Sequence, residues 1–178
     1  RVFLTPVFLY FLLFSNYHHA KLLSVLIFTI ASVTDAFDGQ IARKYGMVTR
    51  VGVFLDPLAD KFLVLSAFFS FVVLGDVHLW MVLIISLRDI IITILRMLME
   101  AKGVTMITSK AGKVKTFLQI IIINVVLLSI LLKAYGYNDY SDVFTKYKII
   151  YALMLITTLV TVYTGFHYFY FNHKKLKT

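Results

Sequence analysis

Cysteine is missing from this chain altogether. Disulfides and thiolate metal sites are thereby excluded, and any metal must be held by oxygen or nitrogen. Charge is scarce as well: 15% of the 178 residues are charged and 60% are hydrophobic, with a mean hydropathy of +0.86. A soluble domain is about half apolar and about a quarter charged, so an ordinary water-soluble globule does not fit. Acidic residues are the scarcest charges, nine against eighteen basic ones, and where those few carboxylates stand therefore carries information. Also missing is any alternation of aromatic and basic residues along a strand or groove, so the net charge of +9 does not point to nucleic acid.

Long uncharged runs fill the chain instead. About 20 apolar residues carry a helix across a hydrocarbon core about 30 Å thick. Runs at residues 1–15, 22–43, 51–74, 78–99, 114–134 and 146–171 read as six such spans. The expectation is an all-α, polytopic membrane protein of six transmembrane helices around a polar, metal-containing cavity open to the cytoplasmic side, forming one domain over residues 1–178. The chain starts at Arg1 rather than Met, and its first apolar run is short, so a preceding N-terminal segment is expected to be missing. No repeat, low-complexity tract, signal peptide or interdomain linker is recognisable.

The charges orient these spans. Arg43, Lys44, Arg50, Lys102, Lys110, Lys113, Lys115, Lys174, Lys175 and Lys177 all fall on one side. The opposite connections, residues 16–21, 75–78 and 134–142, include Asp139 and Asp142. Short loops rich in Lys and Arg stay in the cytoplasm, which places both termini and the basic connections there, in a bacterial inner membrane or plasma membrane. The five histidines, His18, His19, His78, His167 and His173, lie near span ends and read as interfacial.

Four carboxylates occupy the second and third spans: Asp35, Asp38, Asp56 and Asp60. Each costs about 2.5–3.5 kcal/mol at a helix centre on the insertion scale. Residues three or four apart share a helix face, so these acids form two clusters. Two consecutive spans can turn both clusters into one cavity. Four such like charges would keep one another protonated unless cations intervened. All-oxygen ligation favours Mg2+, Mn2+ or Ca2+, and a site that also handles pyrophosphate favours a pair of Mg2+ or Mn2+ ions. Gly39, Ala42 and Gly52 lie beside the acids, where small residues permit a ligand to approach the backbone or two helices to pack. Pro57, between two of the acids, frees the carbonyl of Val53 and is expected to bend its helix.

Together the residues from Asp35 to Asp60 spell D-x2-D-G-x2-A-R-x8-G-x3-D-x3-D, which is similar at every fixed position to the signature of the CDP-alcohol phosphatidyltransferase family. The resemblance implies that a CDP-linked lipid gives its phosphatidyl group to an alcohol while CMP leaves, with Mg2+ or Mn2+ required. It implies that Asp35, Asp38 and Asp56 are metal ligands, and that Asp60 is a ligand or the general base for the acceptor hydroxyl. Gly39, Ala42 and Arg43 would contact the cytidine diphosphate, with Gly52 beside it, and homodimers are implied. The flanks, residues 55–61, Arg88-Asp89 with Arg96, and residues 112–116 with Gln119, resemble the phosphatidylglycerophosphate synthase branch. That branch usually carries Glu at the position of Asp89.

The branch implies CDP-diacylglycerol and sn-glycerol 3-phosphate as substrates, and the basic residues suit such an anionic acceptor. Arg88 and Arg96 are eight apart on similar helix faces. With Lys110, Lys113 and Lys115 they can gather around a phosphate. Positive-inside topology accounts equally for the lysines, and pairing with Asp89 could give Arg88 a structural role. Other acceptors remain open, as in a cardiolipin synthase or an inositol-phosphate transferase. Intramembrane acids also mark ion paths, so a divalent-cation transporter is the rival from another class.

Overall fold

A computed structural model describes residues 2–45, 50–101 and 110–176; within them, side chains at 35–60 and at scattered positions near helix ends lie outside the described set. The elements are α1 (Leu4–Leu9), a π-helical turn (Tyr10–Phe14), α2 (Ala20–Tyr45), α3 (Arg50–Val73), α4 (Leu79–Ala101), α5 (Lys110–Ala134), α6 (Asn138–Lys146) and α7 (Ile149–Leu176). No strand occurs among the described residues. The all-α expectation holds.

Why these sequences are helical is clearest in α5, where residues 120–126 hold four isoleucines and two valines. β-Branched residues weaken helices in water. In a hydrocarbon setting every backbone N–H and C=O must be paired within its own segment, and the helix does this for any apolar sequence. The segments Val114–Ala134 and Ile149–Tyr170 are long and apolar enough to cross a membrane. Shorter apolar stretches lie at Leu4–Phe14, Ala20–Thr34 and Lys61–Val73. Helix α4, at 23 residues, is about 35 Å long at 1.5 Å per residue, but Arg88, Asp89 and Arg96 interrupt its apolar character.

Two glycines stop helices. Gly75 and Gly136 both have φ of +80°, a conformation that costs an L side chain about 1–2 kcal/mol. After α3, Gly75 N–H donates to the Val72 carbonyl and Asp76 N–H to that of Phe71; after α5, Gly136 and Tyr137 do the same to Lys133 and Leu132. This paired closure satisfies carbonyls that a helix end otherwise leaves open.

Two expected boundaries differ. The first run is broken by the π-helical turn, which Ser15 ends by turning extended. The connection expected over residues 134–142 instead holds the start of α6, and the last long helix begins at Ile149. Asp139 in the first turn of α6 complements the positive end of that helix, and the positive φ of Lys148 separates α6 from α7.

Helix contacts close a circuit: α1 on α2, α2 on α5, α5 on α7, α7 on α4, α4 on α3 and α3 back on α1, with α3 also reaching α5. Its centre is a cluster containing Phe8, Leu12, Phe28, Phe68, Phe71, Met81, Ile85, Ile122, Ile123, Leu127 and Met154. Outward, α4 exposes Leu83, Leu87, Ile91, Ile94 and Leu98, a stripe that hydrocarbon accepts and water does not. Helix α7 packs through Thr157, Thr158, Thr161 and Thr164, all buried. Each hydroxyl donates to a carbonyl of its own helix, at 2.7–3.0 Å, so the stripe is small and internally satisfied.

Candidate active site

Helix α2 carries Asp35, Asp38, Gly39, Ala42 and Arg43, and α3 carries Gly52, Asp56 and Asp60. Both segments are helical, so the three- and four-residue spacings do place each pair of acids on one face. The two helices are separated by four residues, and both pack on α1 and α5. The eight side chains themselves lie outside the described residues, as does any bend at Pro57. The four acids expected to hold metal are all carboxylates, the donor type that Mg2+ or Mn2+ takes.

Beginning at Lys61, the residue after Asp60, a second polar centre is described. Asp89, near the middle of α4, has a side chain that is 0% exposed. An isolated buried carboxylate is prohibitively costly, so its surroundings must compensate. Lys115 of α5 donates to both of its oxygens. Gln119, one turn further along α5, donates through Nε2 to Oδ2 at 3.0 Å. The neighbouring Arg88 reaches Oδ1 at 3.2 Å, and Lys61 of α3 stands 3.7 Å from Oδ2. Arg88 also donates to the hydroxyl of Thr164 on α7 at 3.2 Å. Asp89 thus ties α3, α4 and α5 together directly, and α7 through Arg88.

Charge does not balance there among the described residues. Lys61, Arg88 and Lys115, three cationic side chains, stand around one carboxylate. Arg88 Nε is buried without a partner, as is Gln119 Oε1. Gly165 makes room for the arginine: a Cβ at that position would lie 3.2 Å from Arg88 Cγ.

Of the residues expected to hold an acceptor phosphate, Arg88 and Lys115 converge on Asp89. Lys115 is 1% exposed. Arg96 is exposed two turns along α4, about 12 Å from Arg88 at 1.5 Å per residue. Lys110 and Lys113 begin α5, with side chains outside the described residues. Sequence reasoning singled out neither Lys61 nor Gln119 nor Asp89 as a site residue. The signal for Asp89 was present, because an ionisable group within a span demands a partner. Which partners it has depends on three helices meeting. Three of the histidines lie against tyrosines: His19 Nδ1 is 2.6 Å from the Tyr135 hydroxyl, His18 rests against the same ring, and His78 meets Tyr151 edge-on.

A family model described as CDP-alcohol phosphatidyltransferase matches residues 1–166. A Mycobacterium tuberculosis protein named "Probable phosphatidylglycerophosphate synthase" is 41% identical over 130 residues, covering 72% of this chain and 62% of that protein. The CDP-diacylglycerol–glycerol-3-phosphate 3-phosphatidyltransferase of Bacillus subtilis is 36% identical over 162 residues, 89% of this chain and 78% of that one. The protein of the same name from Rickettsia bellii is 35% identical over 151 residues, 84% of this chain and 78% of its own length. The chain thus spans less than two thirds of the mycobacterial relative, at 62%.

Proposed function

This chain belongs to the CDP-alcohol phosphatidyltransferase family, and from that premise we propose that it transfers the phosphatidyl group of CDP-diacylglycerol to sn-glycerol 3-phosphate, giving phosphatidylglycerophosphate and CMP. The observation that carries the reading is the complete acidic motif from Asp35 to Asp60, distributed over two consecutive helices. The names of the Bacillus and Rickettsia relatives support this acceptor, and so does the positive excess around Asp89.

In this reading Asp35, Asp38 and Asp56, with Asp60, hold two Mg2+ or Mn2+ ions. When bound, the ions would neutralise the pyrophosphate and the developing charge on CMP. Gly39 and Ala42 leave space beside the helix for the nucleotide, with Gly52 next to it, and Arg43 forks onto phosphate oxygens. Asp60 accepts the proton of the acceptor hydroxyl while that oxygen attacks the phosphorus bearing the diacylglycerol. The bond from that phosphorus to CMP breaks. Arg88, Arg96, Lys110, Lys113 and Lys115 supply the positive field that draws in the acceptor's phosphate. The chain acts as a six-span homodimer, each copy a single domain, with this site at the cytoplasmic side of the bilayer.

The test is CMP release by the purified protein with CDP-diacylglycerol and a panel of acceptors. Turnover with glycerol 3-phosphate is expected. Use of phosphatidylglycerol or inositol phosphate in its place would reassign the acceptor, and divalent-cation flux in liposomes without CMP release would replace the enzyme by a transporter.

A further inference from the structure

The three cations around Asp89 are not equivalent. Lys115 is sealed, its side chain 1% exposed, and it spans both carboxylate oxygens. Its donors are turned to Asp89, so it adds to the positive field without gripping a ligand itself. Arg88 is held between Asp89 and Thr164, with its side chain 17% exposed. Lys61 differs from both. Its side chain is 24% exposed, and at 3.7 Å from Oδ2 its ammonium is attracted to Asp89 without being consumed by a hydrogen bond. Among the described residues no hydrogen bond uses its three N–H donors.

We propose that Lys61 is the cation that grips the acceptor's phosphate, and that buried Asp89 is the positioning residue that holds Lys61 for it. This deepens the acceptor reading above and rests on it. Among the described residues the cations around Asp89 outnumber its single carboxylate, a surplus that suits an anionic phosphate. Partners that meet a ligand's charge in a water-poor site are worth far more than the same pair in water. Lys61 follows Asp60 directly in α3, which puts it at the same level along the helix axis as the proposed base, on a face about 100° away. Asp89 itself need not touch substrate. Lys115 and Gln119 lock its carboxylate from α5, and Lys61 on α3 takes its direction from that fixed charge.

The experiment measures both Michaelis constants by CMP release, in the full chain, for Lys61→Met, Lys61→Arg, Asp89→Asn and Asp89→Glu. Lys61→Met removes the charge from a partly exposed side chain and leaves the buried pair intact. It should raise KM for glycerol 3-phosphate about tenfold or more, as loss of a charge-assisted hydrogen bond implies. KM for CDP-diacylglycerol should stay within about twofold, and Lys61→Arg should recover most of the loss. Asp89→Asn should shift the same constant in the same direction, and Asp89→Glu should restore it. A purely structural Asp89 would lower thermal stability without that selective change. If Asp89→Asn fails to fold, the lysine variants still decide the question. An unchanged acceptor KM in Lys61→Met overturns the inference, and so does an equal rise for both substrates, which would place Lys61 on the pyrophosphate. A wild-type protein that ignores glycerol 3-phosphate would sink the acceptor reading itself, an outcome visible before any variant is made.

Discussion

Asp60 stands one helical turn beyond Asp56 on α3, and at this scale its role divides into metal ligand or base. Asp60→Asn keeps the size of the side chain and removes its proton affinity. As a base, it should still bind CDP-diacylglycerol in the presence of metal yet lose about 10²-fold or more in turnover, a typical general-base contribution. Asp38→Asn should weaken metal-dependent CDP-lipid binding as well. Single-turnover rates set beside binding for the two variants separate the roles, and equal loss of binding would leave Asp60 a ligand only. Full activity in excess chelator would remove the metals from the account. A second residue-scale prediction concerns Arg96, exposed on α4 and aligned with Arg88. Arg96→Ala should raise KM for glycerol 3-phosphate and spare that for CDP-diacylglycerol, because a lost uniform binding contact changes KM more than chemistry. Equal weakening toward both substrates would assign Arg96 to folding or topology. That the acids stand on helices at three- and four-residue intervals was legible from the sequence, since helix periodicity converts such intervals into shared faces. Lys61 was not, because its significance lies in a distance to another helix.

Between α4 and α7 the contact is made by small residues. Thr164 takes a hydrogen bond from Arg88, and Gly165 leaves a gap into which Arg88 Cγ fits, 3.2 Å from where a Cβ would sit. Gly165→Ala asks only that a flexible arginine move by a few tenths of an ångström. Gly165→Leu overfills the gap and should cost about 1–3 kcal/mol, while forcing Arg88 away from Thr164 and Asp89. Thermal unfolding in detergent micelles should show a clear drop for Leu and a small one for Ala. The acceptor KM should rise with the larger side chain, and a Leu variant matching wild type in both measurements would mean that α4 and α7 are not held through this contact. The helices themselves were legible as apolar runs. The π-helical turn and α6 were not: the first is a local hydrogen-bonding choice with no composition of its own, and the second is a nine-residue helix in a stretch whose polarity reads equally as loop.

For the whole molecule, the proposed six-span arrangement makes a prediction that the absence of cysteine renders easy to test. Single-cysteine variants Asp139→Cys and Lys102→Cys carry no background thiol, and a membrane-impermeant maleimide applied to intact cells should label the first and not the second. Labelling both after the membrane is opened completes the test. Labelling of Lys102→Cys from outside would invert the topology and put the basic connections on the wrong side for a cytoplasmic acceptor.

By itself the sequence determined the apolar character, the helical class and the acidic motif, because each follows from local quantities: apolar run length, backbone pairing within a helix and residue spacing on it. The circuit of helices and the environment of Asp89 were decided by the tertiary structure alone. Lys61, Asp89 and Lys115 lie on three helices, and neighbouring members in the sequence are separated by 28 and 26 residues. No periodicity within one helix can foretell which cations a buried carboxylate will draw from the others, which of them will be sealed, and which will remain open to a ligand.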